Sequence, residues 1–419
     1  MPVVGKSQAK STSRRPERER TIARFSALAL LGLALTGCRS HDFPQYPANY
    51  REYAYVTNGG SGTVTIIDVV NVRVDREIAV GQNPVAVAVS PTRNEVYVVN
   101  SGAAGAQTGG QTGGQGSVSV INAENNTVAT TIVVQRQPVS IEIDPNGDLA
   151  YVANSGSNNV SVIDLKARRQ VAVISAGQGP DDVRLSPDGK TLAVANRLGN
   201  SVSLIDPATG RQRAVFEGCP GAASAVILPD SSKTFAACSA GHQIMAIALA
   251  RAEAHPAQHG PAPSVAAQPD RLEALLDVGQ APVQLALKPD GGELFSLNSL
   301  SDSISEVIIS TDDVSGATMI GDGPVRGLVS ADNALLYVAN FRSQYVTVYS
   351  INDGKRVGSA HVGDGPTALA FSASGQLLLA VDARSNDVAV VRTDSLSLFT
   401  LLPAGRAPNA IAVKAFKLR

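Results

Sequence analysis

One four-residue phrase constrains this chain more than any other feature. Tyr55-Val56-Thr57-Asn58 returns as Tyr97-Val98-Val99-Asn100, Tyr151-Val152-Ala153-Asn154 and Tyr337-Val338-Ala339-Asn340. Looser copies end at Asn196, Ser239, Asn298 and Asp382. Most copies are followed by an apolar strand of the kind Thr63-Val64-Thr65-Ile66-Ile67-Asp68. A unit that recurs at a fixed period cannot bury its own faces alone, so its copies must stack.

The turn Gly81-Gln82-Asn83-Pro84 serves as a ruler. Its proline, or the slot for it, falls at positions 84, 138, 180, 222, 282, 324, 366 and 408, with most gaps equal to 42. The slot at 222 is Ala222, in a degenerate copy. Two gaps are longer. One holds a Gly-rich insertion at 103–116 and the other a Pro/Ala/His-rich insertion at 251–270. Within a unit, Val139 to Ile143 and Leu149 to Asn154 flank the turn Asp144-Pro145-Asn146-Gly147, whose residues suit a tight reversal. Val160 to Asp164 alternates in period two and Gln170 to Ile174 completes the unit.

Four short strands at this period predict an all-β fold, a β-propeller of four-stranded antiparallel blades. The chain opens on a second strand, 54–58, and closes on a first strand, 409–413. The last strand is therefore expected to join the first three and close the ring, since an open array would leave two bare edges. Eight blades result, or seven if the degenerate unit 223–279 is not a full blade. These motifs resemble the YVTN family of bacterial β-propellers, over about residues 54–414. The resemblance implies a secreted or surface propeller of unfixed ligand. Its relatives include lactonases and subunits of redox enzymes.

The N-terminus is basic through Lys6, Lys10, Arg14, Arg15, Arg18, Arg20 and Arg24. The apolar run Phe25 to Leu35 is too short to span a bilayer. It ends in Leu35-Thr36-Gly37-Cys38, which resembles a lipoprotein lipobox with cleavage before Cys38 and lipid on its thiol. Arg39 in place of an acidic residue favours the outer membrane. The expected organisation is a signal peptide at 1–37, a lipid-anchored tether at 38–53 and one propeller domain at 54–419. Beyond residue 37 the chain carries 28 basic and 34 acidic side chains. That balance, with no basic cluster, argues against nucleic acid. The membrane is expected to be met through the lipid anchor only, and a monomer is expected. Cys219 and Cys238 lie in one unit. A single bridge and two packed thiols are both open readings.

The repeat residues themselves read as structure. The tyrosines pack on strands and can wet their hydroxyls. The asparagines are expected to cap turns through their own backbone. Difference between repeats is where chemistry is expected. Counting from each proline, odd offsets on the first strand are apolar and even offsets should face the central channel. The even offsets at 86, 88, 368, 370, 410 and 412 are all alanine. One arc instead offers Glu142, Asp182, Arg184, Gln284 and Arg326, with the arginines suited to a carboxylate or phosphate. The competing reading is that these charges pair with one another. No catalytic residue, metal site or cofactor is assigned. His255 and His259 stand four apart but beside Pro256 and Pro261, no Gly-x-Ser-x-Gly elbow is present, and no Cys-x-x-Cys-His haem site exists.

The expectation is an exported, lipid-anchored binding module of the cell envelope, facing the periplasm or the cell surface. Its partner would be a protein, a glycan or a small polar ligand. The alternatives are a lactonase-like hydrolase and an accessory subunit of a periplasmic redox system.

Overall fold

A computed structural model of the chain describes residues 46–102, 114–250 and 268–418. The signal peptide, Cys38 and most of both insertions lie outside the described residues. From Asn49 onward the chain forms one compact unit. Eight four-stranded antiparallel sheets make it up. Seven are built from consecutive strands, blades 2 to 8, starting at Pro84, Pro138, Pro180, Ala222, Pro282, Pro324 and Pro366. Blade 1 is composite: Tyr50–Asn58, Thr63–Asp68 and Arg73–Ala79 are joined by Pro408–Lys417 from the far end of the chain. The opening strand begins at Tyr50, four residues before the sequence suggests, because Tyr50 to Tyr53 pair with Lys417 to Lys414.

The ring is closed. Inner strands of consecutive blades pack side by side, and Pro408–Lys417 lies against both Pro366–Phe371 and Pro84–Val89. The seven-bladed alternative falls at blade 5. Its strands Ala222–Ile227, Lys233–Cys238, Gln243–Ala248 and Arg271–Asp277 form a complete sheet despite the missing proline.

The core lies between blades. In blade 3, Ala150 and Val152 pack towards blade 2, while Tyr151 and Ala153 pack towards blade 4. Alternation therefore buries both faces of a second strand, and this is why Leu149–Asn154 carries apolar residues at successive positions. Tyr55 and Tyr97 have no exposed surface. Their hydroxyls are not wet. Tyr55 donates to Asn126 Oδ1 at 2.7 Å and Tyr97 to Glu95 Oε2 at 2.6 Å.

The repeated asparagines correct the turn-capping expectation. Asn100 Nδ2 donates to Ser117 Oγ and Ser119 Oγ of the third strand, and Asn196 Nδ2 does the same to Ser201 and Ser203. Asn58 and Asn298 have equivalent hydroxyl partners. On the other side, Gly81 N donates to Asn100 Oδ1 and Gly177 N to Asn196 Oδ1, each at 3.1 Å. In blades 2 and 4 the asparagine is thus a latch binding the turn that enters the blade to its third strand. The glycine is required because a Cβ at Gly81 would sit 2.5 Å from the Asn100 side chain.

Blade 5 makes the same latch covalently. Cys219 occupies the glycine position and Cys238 the asparagine position, and the two are bonded, with Cα atoms 4.7 Å apart. The side-chain space that excludes a Cβ elsewhere is the space in which the two sulfurs meet. Of the two readings left open by the sequence, the structure takes the bridge.

Candidate functional site

The channel mouth on the face of the Gly-x-x-Pro turns is a cavity of about 490 Å³. The residue two places after the proline slot lines it in all eight blades: Ala86, Ser140, Asp182, Ser224, Gln284, Arg326, Ala368 and Ala410. So the even-offset rule holds for this ring. It misses a second ring. Each first strand bulges just after its first residue, so that in blade 4 Pro180 faces Asn196 and Asp182 faces Ala195, with Asp181 left over. The same extra residue occurs in every blade. The bulge turns Asp181 and Asn409 to the cavity as well. The available signal was their polarity at a position that is otherwise mostly valine.

The polar arc is strongly organised around Asp182. Its Oδ1 accepts from Ser140 Oγ at 2.9 Å and from Val183 N at 3.1 Å. Its Oδ2 accepts from Arg184 Nε at 3.2 Å and from Ala225 N of the next blade at 3.1 Å. Arg184 Nη1 then reaches Glu142 Oε2 at 3.3 Å. The guanidinium is held above its ordinary value by the Asp182 charge, against the effect of burial. Burial pushes the Glu142 carboxyl up, with Arg184 opposing it. Glu142 is not on the cavity wall, whereas its partner Arg184 is. Asp181 is tied to Arg197 at 2.5 Å, and burial raises its carboxyl too.

Gln284 bridges blades 6 and 7. Its Nε2 donates to Leu285 O at 2.6 Å and its Oε1 accepts from Gly327 N at 2.8 Å. Arg326 differs from all of these. Among the described residues it makes no hydrogen bond or ion pair. Burial first, and the Arg184 charge second, push its guanidinium down from the usual value. The sequence placed Arg184 and Arg326 together as equivalent anion ligands. The structure separates them: one is consumed by carboxylates of its own and a neighbouring blade, and the other is free.

Other candidates stand apart from the channel wall. His242 Nδ1 accepts from Ala281 N at 3.1 Å, and His361 packs edge-on to Tyr345. His255 and His259 lie outside the described residues. Among the described residues no group of three or more His, Cys, Asp or Glu is arranged to hold a metal ion. No described helix is long and apolar enough to cross a membrane.

The model of YNCE-like β-propellers matches residues 126–416, well over half the chain. The chain belongs to the YNCE-like β-propeller family. The model of the seven-bladed β-propeller lactonases matches residues 56–182, about three blades of this eight-bladed ring. No curated protein matches in sequence. Among solved structures, dihydro-heme d1 dehydrogenase NirN in complex with DHE is 15% identical with a TM-score of 0.66, covering 88% of this chain and 76% of that one. A Bacteroides fragilis protein assigned as a 6-phosphogluconolactonase is 14% identical with a TM-score of 0.57, covering 88% and 99%. Kuenenia stuttgartiensis hydrazine synthase is 16% identical with a TM-score of 0.51, covering 80% and 95%. At these identities the likeness is one of fold.

Proposed function

We propose that this YNCE-like propeller is a binding module of the cell envelope that takes a small ligand at the mouth of its channel. The observation that carries the reading is Arg326, a cation that makes no hydrogen bond or ion pair among the described residues and faces a cavity of small-metabolite size. The rest of the arc supports it as a rigid frame. Asp182 is saturated by four donors and Gln284 by two contacts, so the wall is pre-organised. The basic, apolar and lipobox-like N-terminus supports export and attachment by lipid on Cys38. Such a protein would act as a lipid-tethered receptor or display platform for a small polar ligand, with the propeller faces free for a protein or glycan.

A second reading is lactone hydrolysis, favoured by the match of residues 56–182 to the lactonase model. The geometry supports it less. A hydrolase needs a base that can take a proton from water, and a carboxylate accepting four hydrogen bonds is a poor one. Burial raises the Glu142 carboxyl, but Glu142 is not on the cavity wall. The test is a thermal-shift screen of purified protein against small polar metabolites, repeated with Ala86→Phe, which fills the mouth. Stabilisation by a metabolite that Ala86→Phe abolishes is the expected result. A stabilising ligand unaffected by Ala86→Phe places binding elsewhere and overturns the reading. Lactone turnover lost in Glu142→Gln would favour the hydrolase instead.

A further inference from the structure

The charges around the cavity select among anions. Arg184 is shared between Asp182 and Glu142, so this cluster carries one cation against two carboxylates. Arg326 stands across from it with one positive charge and, among the described residues, no hydrogen bond or ion pair of its own. A dianion drawn to Arg326 would meet the surplus negative charge of the cluster in a confined, poorly screened channel. A monoanion needs only the guanidinium. The opposite wall has one polar side chain, Asn409, and it is already engaged: its Oδ1 accepts from Thr57 Oγ1 and its Nδ2 donates to Pro84 O. The rest of that wall is apolar, with Ala86, Ala368 and Ala410 beside Val85, Val87, Leu369 and Ile411. A ligand that fills the cavity therefore presents one acidic group to one side and an apolar body to the other.

We infer that the site takes a monocarboxylic acid with a short alkyl body. Its carboxylate is held in a bidentate pair by Arg326, and its alkyl chain lies on the alanine arc. A planar carboxylate matches the two parallel N–H donors of a guanidinium, which lysine cannot reproduce. Alanines at this arc leave room for a chain of several methylenes. Larger residues there would close the channel. This rests on the channel being the binding site, and it adds the chemical class of the ligand.

The experiment is calorimetric titration of the purified protein with hexanoate, adipate and inorganic phosphate at pH 7.5 and low salt. Hexanoate and adipate have the same length and differ by one carboxylate. Hexanoate is expected to bind at least tenfold more tightly than adipate or phosphate. Arg326→Ala should weaken hexanoate at least tenfold, and Arg326→Lys should recover only part of it. Circular dichroism of both variants reports that the propeller is intact. Adipate or phosphate binding as tightly as hexanoate overturns the inference, as does hexanoate binding undiminished in Arg326→Ala. The two failures of reasoning separate through Ala86→Phe. Binding that survives Arg326→Ala but is lost in Ala86→Phe keeps the channel as the site and refutes the carboxylate anchor. Binding that survives both refutes both.

Discussion

Replacing Asp382 by asparagine should stabilise the protein and flatten its response to pH. Asp382 occupies the latch position of blade 8, where Asn58, Asn100, Asn154, Asn196, Asn298 and Asn340 stand in other blades, and it has no exposed surface. Its Oδ2 accepts from Gly363 N at 2.9 Å, but its Oδ1 has no partner. The third-strand positions that offer hydroxyls elsewhere are here Asp387 and Ala389. A carboxylate therefore faces another carboxylate in a dry slot. Burial first, and Asp387 with it, push the Asp382 carboxyl up to about 8. The folded protein keeps a proton that the unfolded chain, with an ordinary aspartate, releases near pH 4. Stability from this group is whole below about pH 4 and is lost as the pH rises towards about 8. At pH 7 the difference is about three units, or about 4 kcal/mol. Asparagine keeps the Gly363 contact through its carbonyl and turns its amide towards Asp387, as in the other blades. For a unit of about 370 residues this corresponds to a rise in Tm of about 5 °C. Thermal unfolding of both proteins from pH 4 to pH 9 measures it. The variant should gain little at pH 4 and most at pH 8. A constant offset across that range, or a loss at pH 8, would refute the reasoning.

Other expectations follow from the same latch and core. Cys238→Ser should lower stability by about 3 kcal/mol in chemical denaturation, because it opens a loop closed over a separation of 19 residues. The double change Cys219→Gly with Cys238→Asn restores the pair used by other blades and should cost clearly less than the single change. Tyr55→Phe should cost about 1–2 kcal/mol, since it leaves Asn126 Oδ1 buried without its donor. Cys38→Ser should abolish incorporation of labelled fatty acid and release the protein from the membrane fraction; continued labelling would remove the anchor from the proposal.

Much of the fold was legible because its signals are local. Alternation along Val160 to Asp164, turn residues such as Asp144-Pro145-Asn146-Gly147 and the period of 42 are properties of neighbouring residues. They set strand, turn and repeat without reference to the rest of the chain. The shifted start and finish also gave the closure of blade 1, since strands with bare edges must pair. The ring of channel residues at Ser140, Asp182, Gln284 and Arg326 followed from the pleat alone.

What the sequence could not decide depends on distances between strands, within a blade or across two. The bulge that turns Asp181 and Asn409 inwards arises where a first strand meets its neighbour, and no pattern within the strand marks it. Arg184 and Arg326 look alike in the sequence, standing four and two places after the prolines of their repeats. Only the ring sets Arg184 beside Glu142 of blade 3 and leaves Arg326 alone in blade 7. The asparagine latch and the bridge of Cys219 with Cys238 are likewise contacts across a turn and two strands. Sequence by itself determined the repeating unit, because hydrogen-bonded strands and turns are written in adjacent residues. Tertiary structure decided which charges meet, because electrostatic pairing is a matter of a few ångströms between strands brought together by the packing of the blades.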